Sequence, residues 1–184
     1  MSSLKDYTLS GKIGSGSFGK VYIGIHNHDN KRVAIKLENL SDLAHEAKIL
    51  KELSHHTHGK DIGIPKHIGD GPSVKGHYII MKLLGKNLEE VFTEFDRKFS
   101  KMEILSFGVQ MISRIEEIHE KMVIHRDIKP QNFVFGRKDK NPNKLYLIDF
   151  GLARKFMSGD GEHIPLKEDR PFIGNGKFAS LHAH

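Results

Sequence analysis

The 184-residue sequence contains no cysteine. Disulfides and thiolate metal ligands are therefore excluded, and the composition suits a reducing compartment. No apolar run approaches the roughly 18 residues of a membrane span, and the opening "MSSLKDYTLSGK" lacks the apolar core of a secretory leader. Membrane spanning and secretion are not expected. No block of Lys and Arg reaches five in a row, and the aromatic residues are not interleaved with the basic ones as on a single-strand-binding platform. Nucleic acid is thus not an expected partner. What is present suits a soluble globular chain: 38% apolar residues and a mean hydropathy of −0.44. The length allows one domain or two small lobes. The 29 Lys and Arg outnumber the 23 Asp and Glu, for a net charge of +6. That balance favours anionic partners such as a nucleotide or an acidic protein.

The first third has strand character. "KVYIGI" alternates Val21, Ile23 and Ile25 against Lys20, Tyr22 and Gly24, and "RVAIKLEN" and "HYIIMKLL" are short apolar strands. Between them "SDLAHEAKILKEL" switches to helical spacing, with Leu43, Ala47, Leu50 and Leu53 on one face and Ser41 or Asp42 placed as N-cap. After Gly85 the pattern turns helical. "LEEVFTEF" predicts a short helix, and the segment from Lys101 to Met122 predicts a long one. Its stripe of Ile104, Gly108, Met111, Ile115, Ile118 and Met122 is expected to be buried. "NFVF" and "KLYLIDFG" predict short strands around a turn, and no element is expected after Gly151. The expected fold is α+β, with an antiparallel-sheet lobe over 1–84 and a helical lobe over 85–184.

Four motifs carry chemistry. "GSGSFGKV" sets glycines at positions 14, 16 and 19. Strand periodicity, not a helix, follows them, so the loop joins two antiparallel strands, as in a kinase lid over a triphosphate. An ordinary hairpin is the plainer reading of this motif taken alone. Val21 is placed to pack on the nucleotide base. "VAIK" ends in Lys36, a cation in an apolar strand, suited to the α- and β-phosphates and to a helix carboxylate. Glu46 is the expected carboxylate, with Glu38 and Glu52 as competitors. "HRDIKPQN" follows the long helix. There Asp127 is placed to accept a hydroxyl proton, Lys129 to reach the γ-phosphate, and Asn132 to offer a hard amide oxygen to Mg2+. "LIDFG" puts Asp149 at the end of a buried strand, where a carboxylate calls for a cation. Phosphoryl transfer needs positioning and charge neutralisation more than covalent chemistry, and these four motifs supply both in the required order.

In "KIGSGSFG", "VAIKLE", "LLGKNLEEVF", "QMISRIEEIH", "IHRDIKPQNF" and "IDFGLARKF", the chain resembles the casein kinase I family of Ser/Thr protein kinases. The resemblance runs from about Tyr7 to the last residue. It implies ATP and Mg2+ as cofactors and protein substrates whose target Ser or Thr lies near acidic or phosphorylated residues. It also implies a cytoplasmic or nuclear location. It identifies Ile13, Gly14, Ser15, Gly16, Ser17, Phe18, Gly19, Lys20, Val21, Ala34, Lys36, Met81 and Leu84 as cofactor-binding, with Met81 as gatekeeper and Leu84 as hinge partner of adenine. Asp127, Lys129, Lys36 and Glu46 become the catalytic set, and Asn132 and Asp149 the metal ligands.

The sequence departs from the family's pattern in four places. The stretch between Lys36 and Glu46 is short, Lys82 stands where an acidic hinge residue is usual, and Asn175 and Lys177 replace a threonine and an arginine. In the family further helices follow the segment that reads "ASLHAH" here. The expectation is accordingly a kinase domain truncated within its C-lobe, leaving the long helix with exposed apolar surface. The other functional reading is a kinase-like fragment that binds ATP or a partner without catalysis. A small-molecule kinase fits less well, because the protein-kinase likeness is so detailed. The clusters "HHTH" at 55–58 and "HAH" at 182–184 lack a completing carboxylate or cysteine, and "HEAKI" is not a zinc-protease motif.

Overall fold

The computed structural model describes residues 3–16, 19–38, 42–55, 61–74, 76–165 and 171–181. Two compact units divide the chain, Met1–Gly85 and Lys86–His184.

The first unit holds β1 (Tyr7–Gly16), β2 (Gly19–His26), β3 (Arg32–Glu38), α1 (Asp42–His55), β4 (His67–Ser73) and β5 (Gly76–Lys82). The strands form one antiparallel sheet in the order β1-β2-β3-β5-β4. β3 lies at the centre, and Val33, Ala34, Ile35 and Lys36 are all buried, which is why its sequence is an unbroken apolar run rather than an alternation. Val33 and Ile35 pack with Tyr78 and Ile80 against Leu4, Tyr7, Leu37 and Ile68. The helix α1 packs on β4 and β5, and its expected face of Leu43, Ala47, Leu50 and Leu53 is buried. Asp42 is the first helical residue of α1 rather than its N-cap; the other N-cap candidate, Ser41, lies outside the described residues. β4 was not expected, since "HIGDGPS" is rich in turn-forming residues. It sits at the sheet edge, where Pro72 costs the ladder no donor.

The second unit holds α2 (Leu88–Glu94), α3 (Lys101–His119), β6 (Val123–Ile124), β7 (Phe133–Phe135), β8 (Leu145–Leu147) and β9 (Arg154–Lys155). A single 3-10 turn spans Pro130–Asn132. β7 and β8 form a hairpin, and β6 pairs with β9, a two-residue strand beyond the point where loop was expected. Capping boxes open both helices: Asn87 with Glu90 at α2, Ser100 with Glu103 at α3.

The expected stripe of the long helix is corrected. α3 ends at His119. Ile118 is buried and Met111 and Ile115 are half-buried, but Ile104 and Met122 are exposed. Met122 lies past the helix in a left-handed conformation, φ 58°. The helical period was right, but the helix is covered along one flank only. A second flank of Met102, Leu105, Val109 and Ile112 faces solvent.

Candidate active site

In the first unit the register of the sheet sorts the candidate residues by face. Partners opposite one another in an antiparallel ladder point the same way, and successive residues point opposite ways. Gly14 is opposite Val21, Val21 opposite Lys36, Ile23 opposite Ala34, and Ala34 opposite Met81. Gly14, Val21, Ala34, Lys36 and Met81 thus share one face. Ser15 and Lys20 are opposite each other, and Lys20 is opposite Leu37, so these two side chains belong to the other face. Any contact they make with a ligand on the first face is through the backbone. Ile13 falls in the irregularity between Lys12 and Gly14 and is exposed. Gly16 is opposite Gly19, whereas Ser17 and Phe18 lie outside the described residues. Gly19 has φ 109°, and a Cβ there would come within 2.6 Å of the Leu37 carbonyl oxygen, so only glycine fits. Leu84 follows β5 and is half-buried.

Lys36 places a charge in the centre of the sheet. Its Nζ donates to Glu46 Oε2 at 2.6 Å, and both side chains are buried. The short link between β3 and α1 therefore does not displace Glu46 from its expected partner. Lys82, at the end of β5, pairs with Asp61 at 3.0 Å.

In the second unit three of the four remaining candidates converge. Asp127 is 5% exposed. Its Oδ2 accepts from Lys129 Nζ at 2.6 Å and from Asn132 Nδ2 at 3.0 Å, and its main-chain oxygen accepts from the same Nδ2 at 2.8 Å. Pro130 opens the 3-10 turn that brings Asn132 back to Asp127. Asn132 Nδ2 is committed to Asp127, which orients Oδ1 as the free donor oxygen. Asp149 follows β8 at φ 68°, a left-handed conformation uncommon for residues other than glycine, asparagine and aspartate. Ile148, its neighbour, is tied to Asn132 through a main-chain hydrogen bond of 2.9 Å.

Motif reading assigned no task to His125, yet it joins these pieces. The Asp127 N–H donates to Nδ1 at 3.3 Å, so Nε2 carries the proton and donates to the Ile148 carbonyl at 2.9 Å. The ring stands edge-on to Phe150, centroids 5.1 Å apart. Burial holds the imidazole below its ordinary pKa, against weaker opposing pulls from the Ile148 hydrogen bond and the carboxylates of Asp149 and Asp127. His125 is a neutral strut between the catalytic loop and the strand leading to Asp149. Arg126 adds a second tie, donating from Nε to the Leu152 carbonyl at 2.7 Å. Burial, then the neighbouring Arg154 charge, lowers its pKa.

Gly174 was also missed. At φ 117°, its Cβ position lies 2.5 Å from the Arg126 carbonyl oxygen, so the segment after Pro171 passes against the catalytic loop with no room for a side chain. Asn175 Oδ1 accepts from the Lys177 N–H at 3.0 Å, and Lys177 Nζ lies over the Phe178 ring at 5.4 Å. The histidine clusters fall mostly outside the described residues. Among the described residues no group of three or more His, Cys, Asp or Glu is placed to hold a metal, and no helix is long and apolar enough to cross a membrane.

Residues 7–168 match the family described as the protein kinase domain. That span is most of the chain, and the protein belongs to this family. Phosphoryl transfer from ATP, typically with Mg2+, is the chemistry the family carries.

Proposed function

We propose that the protein is an ATP- and Mg2+-dependent protein serine/threonine kinase of casein kinase I type, acting on Ser or Thr near acidic or phosphorylated residues. The observation that carries this reading is the cluster of buried Asp127 and Asn132 with half-buried Lys129. It provides one proton acceptor, one cation and one amide oxygen around a single turn of chain.

Asp127 accepts the proton of the substrate hydroxyl as its oxygen bonds to the γ-phosphorus and the bond to the β,γ-bridging oxygen breaks, releasing ADP. The two hydrogen bonds to its Oδ2 hold the carboxylate in one orientation, which is the contribution that matters when transfer depends on alignment. Lys129, two residues on, fits Ser/Thr specificity and adds positive charge where negative charge develops on the transferred group. Asn132 Oδ1 and an Asp149 carboxylate oxygen are hard donors and would hold Mg2+. When bound, the ion neutralises phosphate charge and orients the leaving group. In the first unit Lys36 neutralises the α- and β-phosphates, with Glu46 holding its Nζ in place. Val21, Ala34 and Met81 supply apolar surface for the base on the same sheet face.

The proximity of Arg126 and Arg154 supports an acidic or primed substrate, as does the net charge of +6. Lys177, in place of an arginine, retains charge without a bidentate fork. The test is phosphate transfer from Mg·ATP to an acidic, casein-like peptide. Asp127→Asn is expected to lower the rate by roughly a hundredfold or more while ATP binding persists. A folded chain that binds ATP and transfers nothing would sink the catalytic reading in favour of nucleotide or partner binding.

A further inference from the structure

β5 ends at Lys82, and Leu83 and Leu84 continue the chain without a ladder partner. Met81 shares a sheet face with Val21 and Ala34, so by alternation the Lys82 side chain points off that face and does not touch a base held there. Lys82 is instead tied twice to the segment that leads into β4. Its N–H donates to the Lys66 carbonyl at 2.9 Å, and its Nζ donates to Asp61 Oδ2 at 3.0 Å. We propose that the Lys82–Asp61 pair is a positioning device for adenine recognition, setting where the main chain of Leu83 and Leu84 meets the base. The proposal rests on the nucleotide-binding reading above and adds to it a pair of residues that make no contact with the nucleotide.

An ion pair sets the path of a chain only if one of its ends is fixed, and Asp61 meets that condition. Its Oδ1 accepts from the Gly63 N–H at 3.2 Å. Gly63 takes φ 75°, a left-handed conformation that glycine adopts at little cost, and Gly63, Ile64 and Pro65 are all buried. The carboxylate thus stands on a short stretch of chain that is folded into the unit, and the end of β5 is fastened to it. The pairing also accounts for a basic residue at a hinge position where an acidic one is usual, because in this chain the charge answers Asp61.

The side chains of Lys82 and Asp61 are 30% and 37% exposed. Pairs exposed to this degree contribute little to stability, so the effect of this one is expected in geometry rather than in folding energy. The Lys66 hydrogen bond holds the end of β5 at one point. The Asp61 contact supplies a second point on the same segment, and two points fix a direction where one does not. Beyond Lys82 no ladder corrects that direction, so an error there is carried to Leu84, two residues on. Hydrogen bonds weaken steeply as their angles close, and a misplacement on the order of 1 Å is enough to spoil alignment.

Adenosine is the probe, because it carries the base without a charge and is indifferent to the net charge of the protein. Its dissociation constant for the 184-residue chain is read by ligand-observed NMR titration. Lys82→Glu and Asp61→Lys each set like charges against one another, and each is expected to weaken adenosine binding about tenfold. The double variant restores the pair with its signs exchanged, and with it most of the affinity. Urea midpoints of all three variants are expected close to that of the wild type, a combination that a merely structural pair does not give. Single variants that bind adenosine as tightly as the wild type overturn the proposal. So does a double variant no better than the singles, or a loss of binding that tracks a loss of stability. A wild-type chain that binds neither adenosine nor Mg·ATP overturns the nucleotide reading itself, and the positioning role with it.

Discussion

The buried pair of Lys36 and Glu46 and the neutral ring of His125 are two different ways of placing ionisable groups inside a small protein. The first keeps both charges and offsets their desolvation with a 2.6 Å contact. Removing one partner leaves the other charged and buried. Glu46→Gln is accordingly expected to lower stability by about 3 kcal/mol, read as an earlier urea midpoint with an unchanged slope. His125 avoids the charge altogether. Its folded-state pKa lies below the ordinary value of about 6.5, so between those two values the unfolded chain binds a proton that the folded chain does not. This contribution is constant above about pH 6.5 and falls as the solution is acidified toward the folded-state pKa, by up to about 1.4 kcal/mol per pH unit. His125→Asn should flatten that part of the stability profile. Equal slopes in both proteins would show that the ring is not held neutral. The sequence made Lys36 conspicuous, as a cation in an apolar strand. It made His125 conspicuous only as part of a motif, because a strut is defined by what it touches.

The elements were legible wherever one periodicity ran long enough. β2, β3, β5, α1, α2 and most of α3 follow from alternation or helical spacing, and the capping boxes at Asn87 and Ser100 mark where the two C-terminal helices begin. Ser100→Ala removes a side-chain acceptor from the Glu103 N–H and the hydroxyl that helps hold the Glu103 carboxylate below its ordinary pKa. A loss of about 1 kcal/mol in thermal or urea unfolding is expected. β4, β6 and β9 were not legible. β6 and β9 have two residues each and exist because they pair with one another, and β4 owes its strand to β5. Gly174 belongs with these. Nothing in "FIGNGK" distinguishes its first glycine from its second, yet a Cβ at Gly174 would press on the Arg126 carbonyl. Gly174→Ala should displace the catalytic loop and lower phosphate transfer by about a hundredfold with nucleotide binding retained.

For the molecule as a whole, family membership rests on a match over residues 7–168, and the order of the glycine loop, Lys36, the segment from His125 to Asn132 and Asp149 is a property of the linear chain. The residue types a phosphoryl-transfer site requires could therefore be read before any fold was known, because chemistry restricts them to a few side chains. So could the antiparallel sheet, because alternation is a local consequence of backbone geometry. Which carboxylate meets Lys36, which face of the sheet each glycine-loop residue takes, which tautomer His125 adopts and which flank of α3 is left bare were decided by packing. Most of these depend on residues 10 or more positions away, such as Glu46 for Lys36, Ile148 for His125, and Asn143 for Gln110 on α3. A linear pattern carries spacing along the chain, and such contacts are set by which surfaces close on one another when the chain folds.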